Sequence, residues 1–290
     1  MDEPAVSIGL PVFNGERFLA RAVDSVFAQT YGNWELLISD NGSSDESLAI
    51  AQRYAERDPR IRVRAFGDNM GAVANFEAVF RETTGRYFMW LAHDDWIDPR
   101  YLERCVGVLE TRPDFAMAFA GMNVVDDTGE PFRSRTEEFE GAASKSAVAR
   151  FHTVLWGLRD PTSPVFGVAR RSALKQTGLI RNSNEPDRIL VAELSLLGRI
   201  HQDPDLLFFH YGPPGHPNRD EWWWLDPRNR GRPRLATFRI VQHQWNAIWR
   251  GDHNVFENVV MTMDLLVASL ITRTSGKARA IKKQLKLRKS

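Results

Sequence analysis

Short apolar runs alternate with amphipathic stretches through the first two thirds of the chain. Val6–Ser7–Ile8–Gly9–Leu10 predicts a strand, and Pro11–Val12–Phe13–Asn14–Gly15 a turn. Glu16 to Gln29 carries Phe18, Leu19, Ala22 and Val26 at helical spacing. Trp34 to Ser39 predicts a second strand, and Asp40–Asn41–Gly42–Ser43–Ser44 a turn. Ser43 and Glu46 have capping-box spacing, so a helix is expected from there towards Arg57. Ile61 to Phe66 is a third strand, and Asn69 to Thr83 a loop and helix. Tyr87–Phe88–Met89–Trp90–Leu91–Ala92 is apolar enough to be a central strand buried on both faces. Such alternation predicts a mainly parallel sheet flanked by helices and joined by right-handed crossovers.

Beyond Asp98–Pro99 a helix should run to about Arg112. Phe115 to Ala120 and Met122 to Val125 read as two short strands, with a turn at Asp127–Thr128–Gly129–Glu130. Arg133 to Lys145 is polar and reads as a loop, Ser144 to Leu158 as a helix, and Pro164 to Val168 as a strand ending at Arg170–Arg171. Asp187 to Leu197 places Leu190, Leu194 and Leu197 on one helical face, with Gly198 as the stop. Leu206 to Phe209 is a last strand. Pro213, Pro214, Gly215 and Pro217 then mark a boundary. The division is therefore an α/β domain over 1–215 and a helical appendage over 216–290. Leu235, Phe238, Trp245 and Trp249 form one stripe of that appendage; Phe256, Val259, Val260, Met263, Leu266, Val267 and Leu270 form another. These stripes must cover each other, the main domain, a partner such as a second copy, or a membrane surface.

Net charge is +1 in 290 residues, which argues against nucleic acid as the main partner. Cys105 is the single cysteine, so no internal disulfide or cysteine metal cluster can form. Met1–Asp2–Glu3–Pro4 lacks the basic start of a secretory leader, and no apolar run is long enough to span a bilayer. A cytoplasmic protein is expected. The basic end, with Lys282, Lys283, Lys286, Arg288 and Lys289, points either to peripheral contact with the inner face of a membrane or to a solvated basic end.

Three strands deliver polar or acidic turns to one sheet edge: Phe13–Asn14, Asp40–Asn41 and Asp94–Asp95. Open α/β sheets bind ligands at that edge. Adjacent carboxylates there cost free energy unless a cation is close, which suggests a divalent metal carrying a phosphorylated substrate.

Val6-Ser-Ile-Gly-Leu-Pro-Val-Phe-Asn-Gly, Leu37-Ile-Ser-Asp-Asn-Gly-Ser-Ser-Asp, Asn69-x-Gly-x-x-x-Asn75 and Leu91-Ala-His-Asp-Asp-Trp together resemble glycosyltransferase family 2. That resemblance implies a GT-A fold and inverting transfer from a nucleotide-diphosphate sugar donor to a glycan or glycolipid acceptor, as in cell-envelope polysaccharide synthesis. It also implies Mg²⁺ or Mn²⁺. On this resemblance Asp40 recognises the nucleobase, Phe13 lies against it, Pro11 shapes that turn, and Pro11 and Asn14 belong with them to the nucleotide-sugar-binding residues. Asn75 belongs to the donor site. Asp94 is the metal ligand; Asp95 is a donor-sugar contact or an anchor behind it. Asp187 is the candidate base, with Glu185 and Glu193 as rivals. His216 is a substitute metal ligand, because the family's late histidine position holds Pro213, which His210 and His216 flank. Arg170 and Arg171 are candidates for the diphosphate or the acceptor. Four departures stand out: Asn41, Ala92, Pro186 and Pro213 occupy places where the family carries acids or a histidine. They leave a catalytically inactive nucleotide-sugar binder or scaffold as the alternative. A sugar nucleotidyltransferase is less favoured, since Val6 to Phe18 lacks a Gly-rich phosphate loop.

Overall fold

The computed structural model describes residues 4–135, 139–157, 162–183, 185–212, 236–251 and 253–267. The sheet is built first from β1 (Val6–Val12), β2 (Trp34–Asp40), β3 (Ile61–Ala65) and β4 (Tyr87–Trp90). These four are mutually parallel in the order β3-β2-β1-β4. Every residue of β1 and β4 is buried, as both-face coverage by helices requires. The covering helices are α1 (Leu19–Phe27), α2 (Ser47–Arg57) and α3 (Ala72–Arg81). Leu19, Ala22, Val23 and Val26 form the buried face of α1.

The second half extends this sheet. It comprises β5 (Trp96–Ile97), α4 (Tyr101–Thr111), β6 (Phe115–Val125), β7 (Pro131–Arg135), α5 (Ala147–His152), α6 (Thr162–Val165), β8 (Val168–Arg170), α7 (Arg171–Leu174), α8 (Pro186–Leu197) and β9 (Arg199–Tyr211). β8 lies antiparallel between β4 and β6, β9 runs parallel to β6, and β5 closes the edge antiparallel to β9. The sheet is therefore mixed and mainly parallel, as the alternation predicts.

Four local expectations are corrected. The two strands expected between Phe115 and Val125 are one, with its pairing to β9 shifting register on both sides of Gly121. Part of the polar segment read as a loop is β7, an exposed hairpin strand on β6. Thr162–Val165 is helical where a strand was expected, and that strand begins only at Val168. The last strand starts at Arg199 and not at Leu206.

α9 (Ala236–Arg250) and a helix over residues 255–267, α10, follow. Ile248 of α9 and Met261 and Leu265 of α10 are buried in the same hydrophobic core as the sheet, and α9 packs on α8. Pro213 to Pro217, Trp222–Trp223–Trp224 and the basic end lie outside the described residues.

Candidate functional site

The site grows from the carboxyl ends of β1, β2 and β4. Val12 is paired with Asp40, and Gly9 with Trp90, so all three strands end on one edge. The tips of β2 and β4 lie two strand spacings apart, about 10 Å, with β1 between them. The turns are tied to one another. The Asn14 N–H donates to Ser43 Oγ at 2.9 Å, and Asn14 Oδ1 accepts the Ser44 N–H at 2.9 Å. Asn14 takes a left-handed conformation, φ 50°, to make this clasp. Gly15 lies against the His93 ring with no room for a Cβ, which joins the β1 turn to the β4 turn. Asn41 Oδ1 accepts the Met70 N–H and its amide donates to Asn69, bringing in the loop before α3.

Within this frame Phe13 is 41% exposed, so its ring is offered outward and is not a core residue. Pro11 is buried in β1. Asp40 is buried, with Oδ2 accepting the Gly42 and Ser43 N–H groups and Oδ1 left without a partner. An orphaned carboxylate oxygen at a strand tip is suited to accept an N–H from a ligand. The capping box is corrected here. α2 begins at Ser47 without a side-chain cap, and Ser43 is used by Asn14 instead.

Asn75 is 2% exposed. Its amide donates to Ser39 O at 2.9 Å and Val12 O at 3.4 Å. It ties β1 to β2, while its Oδ1 is left without a partner.

Asp94 and Asp95 diverge sharply. Asp94 is partly exposed at the tip. Asp95 has no side-chain exposure; its Oδ1 meets His210 Nδ1 at 2.9 Å and accepts the Tyr211 N–H at 3.0 Å. Burial pushes the Asp95 carboxyl up, against the pull of His210. Burial alone would lower His210, but the Asp95 carboxylate outweighs it and raises the imidazole above its ordinary value. Asp95 is therefore the anchor of its pair, and the histidine beside the two acids is His210. His216 lies outside the described residues. In the sequence His210 appears only as a neighbour of Pro213; an acid–acid turn opposite a strand-terminal histidine was the available signal.

Asp187 sits in the first turn of α8, partly exposed, with its carboxyl pushed up to about 6 by burial and, second, by the charge of Glu185. α8 spans about 18 Å and reverses at Gly198 directly into β9. α8 packs on β6 and β9. Glu185 is exposed, left-handed at φ 53°, and pairs with Arg188. Glu193 is buried against Arg181 at 2.8 Å and accepts the Gly178 N–H, so it is structural.

Arg170 and Arg171 are corrected outright. Arg170 donates to the carbonyls of Leu109, Arg112 and Phe115. Arg171 is buried, donating to Gly85 O, Phe80 O, Ser7 Oγ and Thr83 Oγ1. Both lie at the amino edge of the sheet, away from the acidic tips.

Among the described residues no three acidic, histidine or cysteine side chains group closely enough to hold a metal ion alone. The residues present fit a cation shared between Asp94 and a ligand's phosphate oxygens, the usual arrangement for Mg²⁺.

Residues 7–177 match a family model described as Glycosyl transferase family 2. The chain is 35% identical over 127 residues to "Putative glycosyltransferase EpsE" of Bacillus subtilis, covering 43% of this chain and 46% of that one. It is 32% identical over 124 residues to uncharacterized glycosyltransferase RP339 of Rickettsia prowazekii, covering 42% and 38%. The matched part thus spans less than half the length of these relatives. Among solved structures, S. aureus TarS 1-349 superposes with a TM-score of 0.68 at 15% identity, over 93% of this chain and 73% of that one. TarS has also been solved with UDP and with UDP-GlcNAc. The mannosyltransferase PcManGT of Pyrobaculum calidifontis, solved with GDP-Man and Mn²⁺, superposes at 0.54 with 14% identity, over 96% and 81%. Likeness at such identity establishes the fold.

Proposed function

Since this chain belongs to glycosyl transferase family 2 and carries the GT-A fold, we propose that it moves a sugar from a nucleoside-diphosphate sugar to an acceptor hydroxyl with inversion. The observation that carries this reading is the convergence of an outward Phe13, the orphaned Asp40 Oδ1 and the partly exposed Asp94 on one sheet edge. Phe13 offers a face for the base and Asp40 accepts its imide N–H. Uridine and guanosine diphosphate donors are both supported, by the ligands of TarS and the mannosyltransferase. Asp94 would hold a divalent cation, Mg²⁺ or Mn²⁺, whose charge offsets that building on the departing diphosphate.

Asp187 takes the acceptor proton as its oxygen bonds to the anomeric carbon and the bond to the diphosphate breaks. A carboxyl near 6 is ionised at neutral pH yet basic enough for that transfer. Asp95 fixes His210 and Tyr211 behind the tip, and so holds the β4 turn in place.

The test is release of nucleoside diphosphate from a panel of UDP- and GDP-sugars, with Mn²⁺ and with EDTA. Mn²⁺-dependent release from one donor is expected. Tight nucleotide binding with no release from any donor, even by slow hydrolysis, would turn the assignment to the inactive binder.

A further inference from the structure

α10 is apolar on two faces. Asn258, Met261 and Leu265 are buried against the domain. Val255, Phe256, Val259, Met263, Leu266 and Val267 are all exposed, Phe256 by 76%. At 100° per residue these six fall within a single arc of about 120°. A soluble surface helix would place polar side chains there.

Two indoles border the arc. Trp249 Nε1 donates to Thr262 Oγ1 at 3.2 Å, on one shoulder of the exposed stripe. Trp156 Nε1 donates to Asp264 Oδ1 at 2.6 Å, on the other. Both rings remain more than one third exposed. Exposed indoles with satisfied N–H groups flanking an apolar stripe suit the boundary between hydrocarbon and headgroups.

The chain that follows supplies the charge. Residues 268–290 contain eight of the 38 Lys and Arg and none of the 37 Asp and Glu, leaving the remainder at −7. No described helix is long and apolar enough to cross a membrane. We propose that the outer face of α10, with the basic sequence after it, docks this protein on the surface of an anionic lipid bilayer. The stripe enters the headgroup boundary while the basic residues meet anionic headgroups. A second copy of the chain is the less favoured occupant, because two such ends would bring eight cations each to one interface. Docking of this kind does not depend on the transferase assignment.

The experiment is co-sedimentation of the full chain with vesicles of phosphatidylglycerol and phosphatidylcholine in equal parts, and with pure phosphatidylcholine, at low and high salt. Pelleting should be at least 10-fold stronger on the anionic vesicles at low salt. The double variant Phe256→Glu, Met263→Glu should lose at least 10-fold of it while keeping its circular dichroism and nucleoside-diphosphate affinity. No pelleting on anionic vesicles at low salt would overturn the proposal, as would unchanged pelleting by a folded variant. So would size-exclusion showing a lipid-free dimer that the variant dissociates.

Discussion

Replacing Asp187 by Asn separates two consequences of one partly buried acid. Its carboxyl rises from an ordinary 3.8 to about 6, so ionising it costs the folded chain about 3 kcal/mol. The sign follows from linkage: the folded state favours the protonated form, so stability is highest below about pH 4 and falls as pH rises towards 6. Asn cannot ionise and escapes that loss. Asp187→Asn should match the parent in stability near pH 4, and exceed it by up to about 3 kcal/mol above pH 7. At roughly 2–4 °C per kcal/mol, the melting temperature should rise by several degrees. Turnover should meanwhile fall by about 10²- to 10⁴-fold, since Asn accepts no proton. In the parent, kcat/KM should climb with pH through about 6 and then level. The assays are differential scanning calorimetry from pH 4 to 8 and nucleoside-diphosphate release over the same range. A variant that melts lower than the parent at pH 8 defeats the burial argument; one with full turnover removes Asp187 from the reaction.

Asp94→Ala should abolish turnover and erase any gain in nucleotide affinity on adding Mn²⁺, read by calorimetric titration with and without EDTA. Mn²⁺ alone should bind weakly and bind well only with nucleoside diphosphate present, because Asp94 is the one exposed acid of the pair; electron paramagnetic resonance of free Mn²⁺ measures this. Phe13→Ala should weaken nucleotide binding roughly 2- to 10-fold without changing the melting temperature appreciably, given its exposure. Arg171→Met should cost about 3 kcal/mol or more by stranding the Gly85 and Phe80 carbonyls, while the folded fraction keeps its nucleotide affinity.

The first half of the fold is legible because parallel strands covered on both faces write themselves as unbroken apolar runs between polar turns. β1, β2, β3 and β4 all have that form. The later strands are fixed by partners the sequence does not show locally. β7 has four exposed residues and exists because β6 offers it an edge. β5 has two residues, held by β9. The arginines after β8 mislead for a topological reason. β8 runs antiparallel to β4, so its carboxyl end lies at the amino edge, opposite the acidic tips. A charged pair closing a strand is informative only once the direction of that strand is known. Ser43 misleads similarly, since its tertiary partner Asn14 outcompetes the cap its spacing allows.

Asp94 and Asp95 divide the tip between an exposed and a sealed carboxylate. Two adjacent carboxylates cannot both be left uncompensated at a strand end. Asp95 is compensated from within in part: it is sealed, its Oδ1 holds the His210 ring and takes the Tyr211 N–H, and its Oδ2 has no partner. That contact pins the β4 turn to the end of β9, across the sheet. Asp94 is left as the one exposed member, and on the proposed function a cation carried by a ligand's phosphates would answer its charge. Asp40 stands at the tip of β2, with β1 between it and β4, and has one free oxygen. A single nucleotide could reach one acid with its base and the other with its phosphates. On the proposed function the Asp40 end of the edge is preorganised for the base and the Asp94 end is electrostatically incomplete, which is the asymmetry that a charged, cation-bearing donor would satisfy.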